Sequence, residues 1–267
     1  MKRLMIALKF LTIIPLRKDM TVSVADIVKG IPLFPFVGLI QGILLVAMAV
    51  LSDMVLPSEI TPAVVILVLV LLSGAFHLDG LSDTFDALAK RGVREEKLMV
   101  MKDGRTGPVG VTAIVLTLMM KYLALNALSE YSLYYFFILL MPVTSKWAML
   151  IAMFHGKPAK DEGLGRLFIE GTGLRQLIPA FLSVFFIVTL PVISGAILTL
   201  PQSMTQMEKA LILFIGVMAV LYITSLLSVR FYRNRFGGLT GDTLGAIGEL
   251  GELIFLFMAV IWSRLYI

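Results

Sequence analysis

Long apolar runs recur along the whole chain and constrain its fold more than any other feature. Hydrophobic residues make up 58% of the 267 residues and charged residues only 15%, whereas about 25% are charged in a typical soluble domain. A helix of about 20 apolar residues crosses the hydrocarbon core of a bilayer with its backbone hydrogen bonds satisfied. The sequence therefore predicts an all-α, polytopic integral membrane helical bundle, with residues 1–267 forming a single membrane-embedded domain. We expect about seven transmembrane helices, near residues 31–51, 61–76, 109–128, 133–154, 177–199, 210–229 and 244–263.

The N-terminal segment, MKRLMIALKFLTIIP, resembles a signal peptide only superficially. Lys9 interrupts its apolar stretch, Pro15 ends it, and no small-residue cleavage site follows. The segment is typical of a short amphipathic helix that lies on the membrane surface.

Basic residues are distributed unevenly among the loops. They gather in the N-terminal segment and after the second, fourth and sixth predicted spans, whereas the loops near residues 52–60, 129–132 and 200–209 contain only Lys209. By the positive-inside rule, the N-terminus and the basic loops are predicted to be cytoplasmic. The same distribution argues against nucleic-acid binding, despite a net charge of +5. The chain has no cysteine, which excludes disulfides, thiolate metal sites and a cysteine nucleophile.

Three aspartates lie in the segment FHLDGLSDTFDAL, which directly follows the second apolar run. Asp79, Asp83 and Asp86 are spaced by four and three residues, so a helix would carry them on one face. Their mutual repulsion would be relieved by a divalent cation with oxygen ligands, which predicts a metal site at the membrane boundary. The alternative is a solvated helix start, where aspartate is also favoured.

A second candidate segment, MKDGRTG, precedes the third predicted span. Lys102 and Arg105 are predicted to bind phosphate oxygens, and Asp103 to complete a metal shell. The alternative is an ordinary basic loop with turn glycines.

A third segment, GGLTGDTLGAIGELGE, leads into the last predicted span. Glycines before a helix, here Gly238 and Gly241, let the backbone approach an anionic ligand closely. Asp242 is interpreted either as the helix N-cap or as a metal ligand. Glu249 follows on the same helical face, either as a metal ligand or as the partner of a buried cation such as Lys121 or Lys146.

The fourth segment is the loop KDEGLGR, whose Gly163, Gly165 and Arg166 are candidate substrate contacts or parts of a plain loop. An unpaired Lys146 inside the fourth predicted span would cost about 2.5–3.5 kcal/mol in insertion free energy, so we expect it to face a polar cavity.

Acids beside basic residues in several loops favour a metal-dependent phosphoryl-type transfer. An ion-coupled transporter would use the same acids, but the sequence lacks the repeats expected of one. A phosphotransferase acting on a lipid alcohol is a further alternative.

Together these segments resemble the cobalamin synthase family, the adenosylcobinamide-GDP ribazoletransferases. The resemblance extends to LTIIPL near the N-terminus and to FPFVGLIQG from Phe34 to Gly42, and so covers nearly the whole chain in order. The family usually has glycine at the positions of Ala75 and Ala87. It has arginine at the positions of Ile13 and Lys146, and lysine keeps the charge there but loses the bidentate fork.

The resemblance implies a reaction in which a hydroxyl of α-ribazole, or of its 5′-phosphate, attacks the cobinamide-linked phosphorus of adenosylcobinamide-GDP and releases GMP. Mg²⁺ is the implied cofactor. As hypotheses, Asp79, Asp83 and Asp86 bind Mg²⁺, with Asp103, Asp242 or Glu249 completing the shell, and Asp83 or Asp242 takes the proton of the attacking hydroxyl. The predicted contacts to the substrates are Lys102, Arg105, Lys146, His77, Gly163, Gly165, Arg166, Gly238 and Gly241.

The resemblance also implies a multi-pass protein of the bacterial cytoplasmic (inner) membrane whose catalytic site opens to the cytoplasm. We expect the site between the second, third and seventh spans. The expected partners are the small-molecule substrates and membrane lipid, and other corrinoid-pathway enzymes are candidates.

Overall fold

The computed structural model describes residues 2–14, 23–198 and 204–266, and the side chains of residues 2–14, 23–189 and 211–265. Twelve α-helices and one 3₁₀ turn, Ile31–Leu33, occur in this part of the chain, which confirms the all-α prediction. The α-helices are α1 Lys2–Leu11, α2 Val24–Gly30, α3 Phe34–Val55, α4 Thr61–Ser73, α5 Phe76–Ala89, α6 Arg94–Val100, α7 Pro108–Leu128, α8 Tyr134–His155, α9 Leu164–Gly171, α10 Leu174–Leu198, α11 Met204–Phe236 and α12 Gly241–Tyr266.

Five segments among the described residues are long and apolar enough to cross a membrane by themselves, and the count rises to seven if two bent helix pairs are each one span. The five are α2–α3 together, α7, α8, the part of α11 from residue 211, and α12. The bent pairs are α4 with α5, at 88°, and α9 with α10, at 86°. The chain is therefore a multi-pass membrane protein, in agreement with the predicted spans.

The second predicted span differs from the others, because its helix α4 has only 13 residues. Such a helix is about 20 Å long, too short for a hydrocarbon core of about 30 Å. Gly74 and Ala75 then turn the chain into α5, both in the left-handed region, with φ of 62° and 58°. Because the run of apolar residues carries no information about φ, hydropathy alone did not predict this bend.

Helix α8 is the most buried of the candidate spans and packs against α3, α12, α11 and α10. Its closest neighbour is α3, whose Gly38 and Gly42 face α8 in a small-xxx-small pattern. A Cβ at Gly38 would lie 2.7 Å from the carbonyl oxygen of Pro142, so only glycine allows this approach. The aromatic rings of Phe137 and Phe255 also meet, at 6.3 Å, and join α8 to α12.

Helix α1 is confirmed as a short N-terminal helix, and its buried face consists of Ile6, Ala7 and Leu11. It packs against α2, α3 and the 3₁₀ turn, and Phe10 meets Phe168 of α9 edge to face at 5.6 Å. The apolar face of α1 thus packs against protein. Elsewhere in the bundle α5, α7 and α12 pack against one another, which brings together the helices that carry the predicted site.

Candidate active site

The aspartate motif forms helix α5, on which Asp83 is buried, Asp86 is half-buried and Asp79 is exposed. Asp83 is 9% exposed, and it lies within electrostatic reach of Asp79, Asp86 and Asp242. The opposite flank of α5 packs its leucines, Leu78 and Leu81, in a small apolar cluster with residues of α7 and α12. Packing therefore fixes α5 in a position where three further acids surround Asp83.

Glycines let α5 and α12 approach each other until their backbones almost touch. A Cβ at Gly80 would lie 2.7 Å from the carbonyl oxygen of Asp242, and one at Gly245 would lie 3.2 Å from the Cα of His77. Side chains at these positions would push the helices apart. This contact sets Asp242 directly beside the carboxylate face of α5.

The N-cap of α12 is Thr240 rather than Asp242. The backbone N–H of Thr240 donates to Thr243 Oγ1 at 2.8 Å, and the N–H of Thr243 donates back to Thr240 Oγ1 at 3.2 Å. This reciprocal pair is a capping box that satisfies the free N–H groups at the helix start. The carboxylate of Asp242, which accepts from the Thr240 hydroxyl at 3.2 Å, is therefore not needed as the cap.

Asp86 connects α5 to the start of α7. Its two carboxylate oxygens accept the backbone N–H groups of Gly107, at 2.6 Å, and Gly110, at 2.8 Å. A carboxylate at a helix N-terminus is favoured by the free N–H groups and by the helix dipole. Asp86 thus has a structural role, besides the metal-ligand role that its spacing predicts.

Two of the glycine-containing loops are joined next to Asp242. The N–H of Leu239 donates to the carbonyl oxygen of Lys157 at 2.7 Å, and the N–H of Ala159 donates to that of Leu239 at 2.8 Å. A Cβ at Gly238 would lie 2.4 Å from the Lys157 carbonyl oxygen, so the pairing needs glycine there. At the start of α9 a Cβ on Gly165 would lie 2.6 Å from the backbone nitrogen of Gly241.

Lys160 follows this pairing, and its positive charge acts on both Asp83 and Asp242. It was not among the predicted site residues. The signal that could have found it is its place at the head of the KDEGLGR segment, immediately before the predicted substrate contacts.

The remaining loop residues of the predicted site lie nearer to solvent. Arg105 donates to Asp103 at 2.6 and 3.1 Å, and this cation lowers the pKa of the Asp103 carboxyl below its ordinary value. Arg166 donates to Glu170 at 2.8 Å within α9. Gly163 precedes that helix with φ of 100°, a conformation that L residues rarely adopt. Lys102 is exposed near Asp103.

A second group of charges is fully enclosed by the helices. Lys121 of α7 donates to Glu249 and Glu252 of α12, each at 2.5 Å. Glu249 is therefore the partner of a buried cation, which is the second of the two roles predicted for it from the sequence. Lys146 of α8 is also buried, at 1% exposure, with the Ser145 hydroxyl 3.5 Å away and its charge acting on both glutamates. His77 lies within electrostatic reach of both lysines.

No group of three or more His, Cys, Asp or Glu residues lies close enough to hold a metal ion by itself, within the described part of the chain. The groups near Asp83 that could bind a metal are nevertheless carboxylates, which offer only oxygen ligands. Lys160 is a nearby cation. Mg²⁺ prefers such oxygen donors and is usually held by one or two carboxylates together with waters and substrate phosphates. One or two of the carboxylates of Asp79, Asp83 and Asp242 would meet that requirement, with waters and substrate phosphates as the remaining ligands.

A model of the cobalamin-5-phosphate synthase family matches residues 3–260, nearly the whole chain. The chain belongs to this family. A relative from Geotalea daltonii is 35% identical over 255 residues, which cover 96% of this chain and 95% of the relative. One from Thermodesulfovibrio yellowstonii is 30% identical over 276 residues, covering 99% and 98%. Both relatives are named adenosylcobinamide-GDP ribazoletransferase. No solved structure matches the chain.

Membership of the cobalamin-5-phosphate synthase family confirms the resemblance drawn from the motifs. The fold also shows why glycine suits the position of Ala75. Ala75, where the family usually has glycine, is the one described residue other than glycine with positive φ. Glycine reaches this conformation without the clash that a Cβ introduces.

Proposed function

We propose that this chain is an adenosylcobinamide-GDP ribazoletransferase that carries out the last assembly step of cobalamin biosynthesis. It transfers the phosphocobinamide group of adenosylcobinamide-GDP to a hydroxyl of α-ribazole or its 5′-phosphate, giving adenosylcobalamin or its 5′-phosphate and GMP. The observation that carries the proposal is the family match over residues 3–260, supported by full-length relatives that bear this activity's name.

Asp83 of α5, which is buried, and Asp242 of α12, which is half-buried, supply the proton chemistry in this proposal. The acceptor oxygen forms a new bond to the cobinamide-linked phosphorus, and the bond from that phosphorus to the oxygen of GMP breaks. Asp83 or Asp242 takes the proton of the attacking hydroxyl, because both lie where the two helices meet. Lys160, whose charge acts on both groups, is proposed to contact the leaving phosphate.

Asp79, Asp83 and Asp242 would hold Mg²⁺ together with the diphosphate of the donor. When bound, the cation neutralises negative charge on the diphosphate. Asp86 and Asp103 already accept hydrogen bonds from protein groups, and Glu249 is paired with Lys121, so these three have less free capacity for a metal.

The predicted basic residues divide between two positions. Lys102 and Arg105 lie in an exposed loop and are proposed to bind the phosphates as they enter. Lys146 and His77 are enclosed by helices and are proposed to contact a deeper part of the substrate. Gly163, Gly165 and Arg166 at α9, with Gly238 and Gly241 before α12, are proposed to contact the nucleotide.

We place the protein in the cytoplasmic membrane of a bacterium with this site on the cytoplasmic side. The support is the basic composition of the loops that surround Asp83 and Asp242, which the positive-inside rule assigns to the cytoplasm.

The test is GMP release by the detergent-purified protein, given adenosylcobinamide-GDP and either acceptor, with Mg²⁺ or with EDTA. We expect GMP only when a donor, an acceptor and Mg²⁺ are all present. A folded protein that releases no GMP with either acceptor would overturn the proposal. The ion-coupled carrier and the lipid-alcohol phosphotransferase would then be examined by uptake into proteoliposomes and by transfer to lipid.

A further inference from the structure

A polar cavity lies at the end of the bundle opposite the aspartate motif. Its volume is about 350 Å³. It forms where α3 ends and α8 begins, and Ser129 at its edge directly follows α7. Asp86 caps the other end of α7, a helix of 21 residues that is about 31 Å long. The cavity is therefore separate from the proposed catalytic site. Its lining residues are Asp53, Ser58, Ser129, Tyr131, Ser132, Tyr134 and Tyr135.

Tyr134 gives the first indication that this cavity takes a ligand. Its side chain is 5% exposed and lines the cavity, yet its hydroxyl has no hydrogen-bond partner among the described residues. A buried hydroxyl without a partner costs about 1–3 kcal/mol. A ligand that supplies the missing partner would remove this cost.

The charge of the residues in and around the cavity indicates the sign of the ligand's charge. Asp53 accepts hydrogen bonds from the hydroxyls of Thr61, at 2.5 Å, and Tyr135, at 2.7 Å, which hold its carboxylate in place. The two segments that border the cavity, residues 52–60 and 129–132, also contain Glu59 and Glu130 and have no lysine or arginine. An anion would be repelled here, and a cation attracted.

The lining is also suited to one class of cation. A single carboxylate lines the cavity, too few for a dedicated divalent-metal site, which takes several oxygen ligands at close range. Three tyrosine rings and three serine hydroxyls complete it. Aromatic faces attract ammonium groups, and hydroxyl and carboxylate oxygens accept their N–H groups. An ammonium group matches each of these features.

We propose that this cavity binds an ammonium group, supplied by the headgroup of an aminophospholipid or by a small primary amine. The ammonium group contacts the Asp53 carboxylate and donates to the Tyr134 hydroxyl. Because the cavity lies at an end of the membrane-spanning helices, a lipid headgroup can reach it from the bilayer interface.

The first experiment measures thermal unfolding of the full-length protein in detergent with increasing ethanolamine, against NaCl at equal ionic strength. A second arm uses nanodiscs of phosphatidylethanolamine or phosphatidylglycerol and counts retained lipids by native mass spectrometry. We expect a saturable rise in Tm with ethanolamine or retention of phosphatidylethanolamine. Retention of the lipid identifies a headgroup site, and a rise with ethanolamine alone identifies a soluble amine.

The matched variants are Asp53→Asn, at the end of α3, and Glu59→Gln, in the turn that follows. Both remove one negative charge from the same end of the bundle, but only Asp53 lines the cavity. We expect the ammonium effect to be lost in Asp53→Asn and kept in Glu59→Gln. Tyr134→Phe keeps the ring and removes the unpartnered hydroxyl, so it should fold at least as well as the parent and respond at least several-fold more weakly.

Two results would overturn the proposal. One is a parent protein with neither a saturable ethanolamine response nor a preference for phosphatidylethanolamine. The other is a response that is the same in Tyr134→Phe, Asp53→Asn and Glu59→Gln. If Asp53→Asn does not fold, the comparison of the ammonium response between Tyr134→Phe and the parent protein decides the proposal.

Discussion

Asp83 is the acid on which the proposed chemistry most depends, because three further acids surround it at the α5–α12 contact. Replacement by asparagine keeps the shape but removes the negative charge and the ability to accept a proton. We expect Asp83→Asn to fold and to lose GMP release by at least about 100-fold, the usual contribution of a general base. The measurement is GMP release under saturating substrates, with unfolding in detergent as the check on folding.

Glu130→Gln is the matched control, because it removes an exposed carboxylate at the opposite end of the bundle. It should retain the parent rate. A folded Asp83→Asn protein with the parent rate would remove Asp83 from the scheme and leave Asp242 as the candidate base.

Ala75 is strained, since a non-glycine residue in the left-handed region costs about 1–2 kcal/mol. Ala75→Gly removes this cost but makes the unfolded chain more flexible, so we expect a net gain of roughly 0.5–1 kcal/mol in unfolding free energy. The measurement is the unfolding midpoint in detergent.

Ala87→Gly is the comparison, because Ala87 lies buried within α5 in ordinary helical geometry. Glycine there should destabilise by about 0.5–1 kcal/mol or more. A gain in unfolding free energy for Ala75→Gly and a loss for Ala87→Gly would support strain at Ala75. A loss of stability in both variants would contradict it.

At the scale of whole elements, the contact between α5 and α12 determines where Asp242 lies. A methyl group at Gly80 would lie 2.7 Å from the Asp242 carbonyl oxygen, so Gly80→Ala must displace one helix. A displacement of about 1 Å can cost about 100-fold in rate. We expect a loss of that order in GMP release, with the fold retained by the rest of the bundle.

The control for this prediction is Gly216→Ala in α11, where an added Cβ would make ordinary contact at 3.8 Å with Met258. Alanine favours helix over glycine by about 1 kcal/mol, so this variant should be stable and fully active. Equal activity in the Gly80→Ala variant would show that the helix contact does not position the catalytic acids.

The elements also show what sequence could and could not predict. The apolar runs predicted the membrane-crossing helices because span length follows directly from bilayer thickness. Three of the glycine-containing segments that the sequence analysis singled out meet around Asp242. Two features escaped prediction: the capping of α7 by Asp86, which acts on residues 21 and 24 positions away, and the placing of Lys160 beside Asp83. The capping by Asp86 depends on a tertiary contact that no local pattern encodes. For Lys160 the sequence offers only its place at the head of the KDEGLGR segment, which does not show that it lies beside Asp83.

At the scale of the whole molecule, the buried charges must balance, because lipid-embedded helices offer no solvent to screen them. Lys121 compensates Glu249 and Glu252, and Lys146 supplies a second positive charge, so two lysines face two glutamates across three helices. The ion pairs of Lys121 with Glu249 and Glu252 thereby tie α7 to α12.

Removing the charge of Lys121 tests whether the buried charges must balance. Lys121→Met leaves two buried carboxylates without their partner, and breaking a buried pair in this way costs about 3–5 kcal/mol. We expect a large fall in the unfolding midpoint and recovery of much of it in the double variant Lys121→Met, Glu249→Gln, which leaves the charges of Lys146 and Glu252 balanced. Lys2→Met is the control, because the Lys2–Asp26 pair is exposed and such pairs contribute at most about 1 kcal/mol. Equal small losses in Lys121→Met and Lys2→Met would mean that water reaches the glutamates and that charge balance does not hold these helices together.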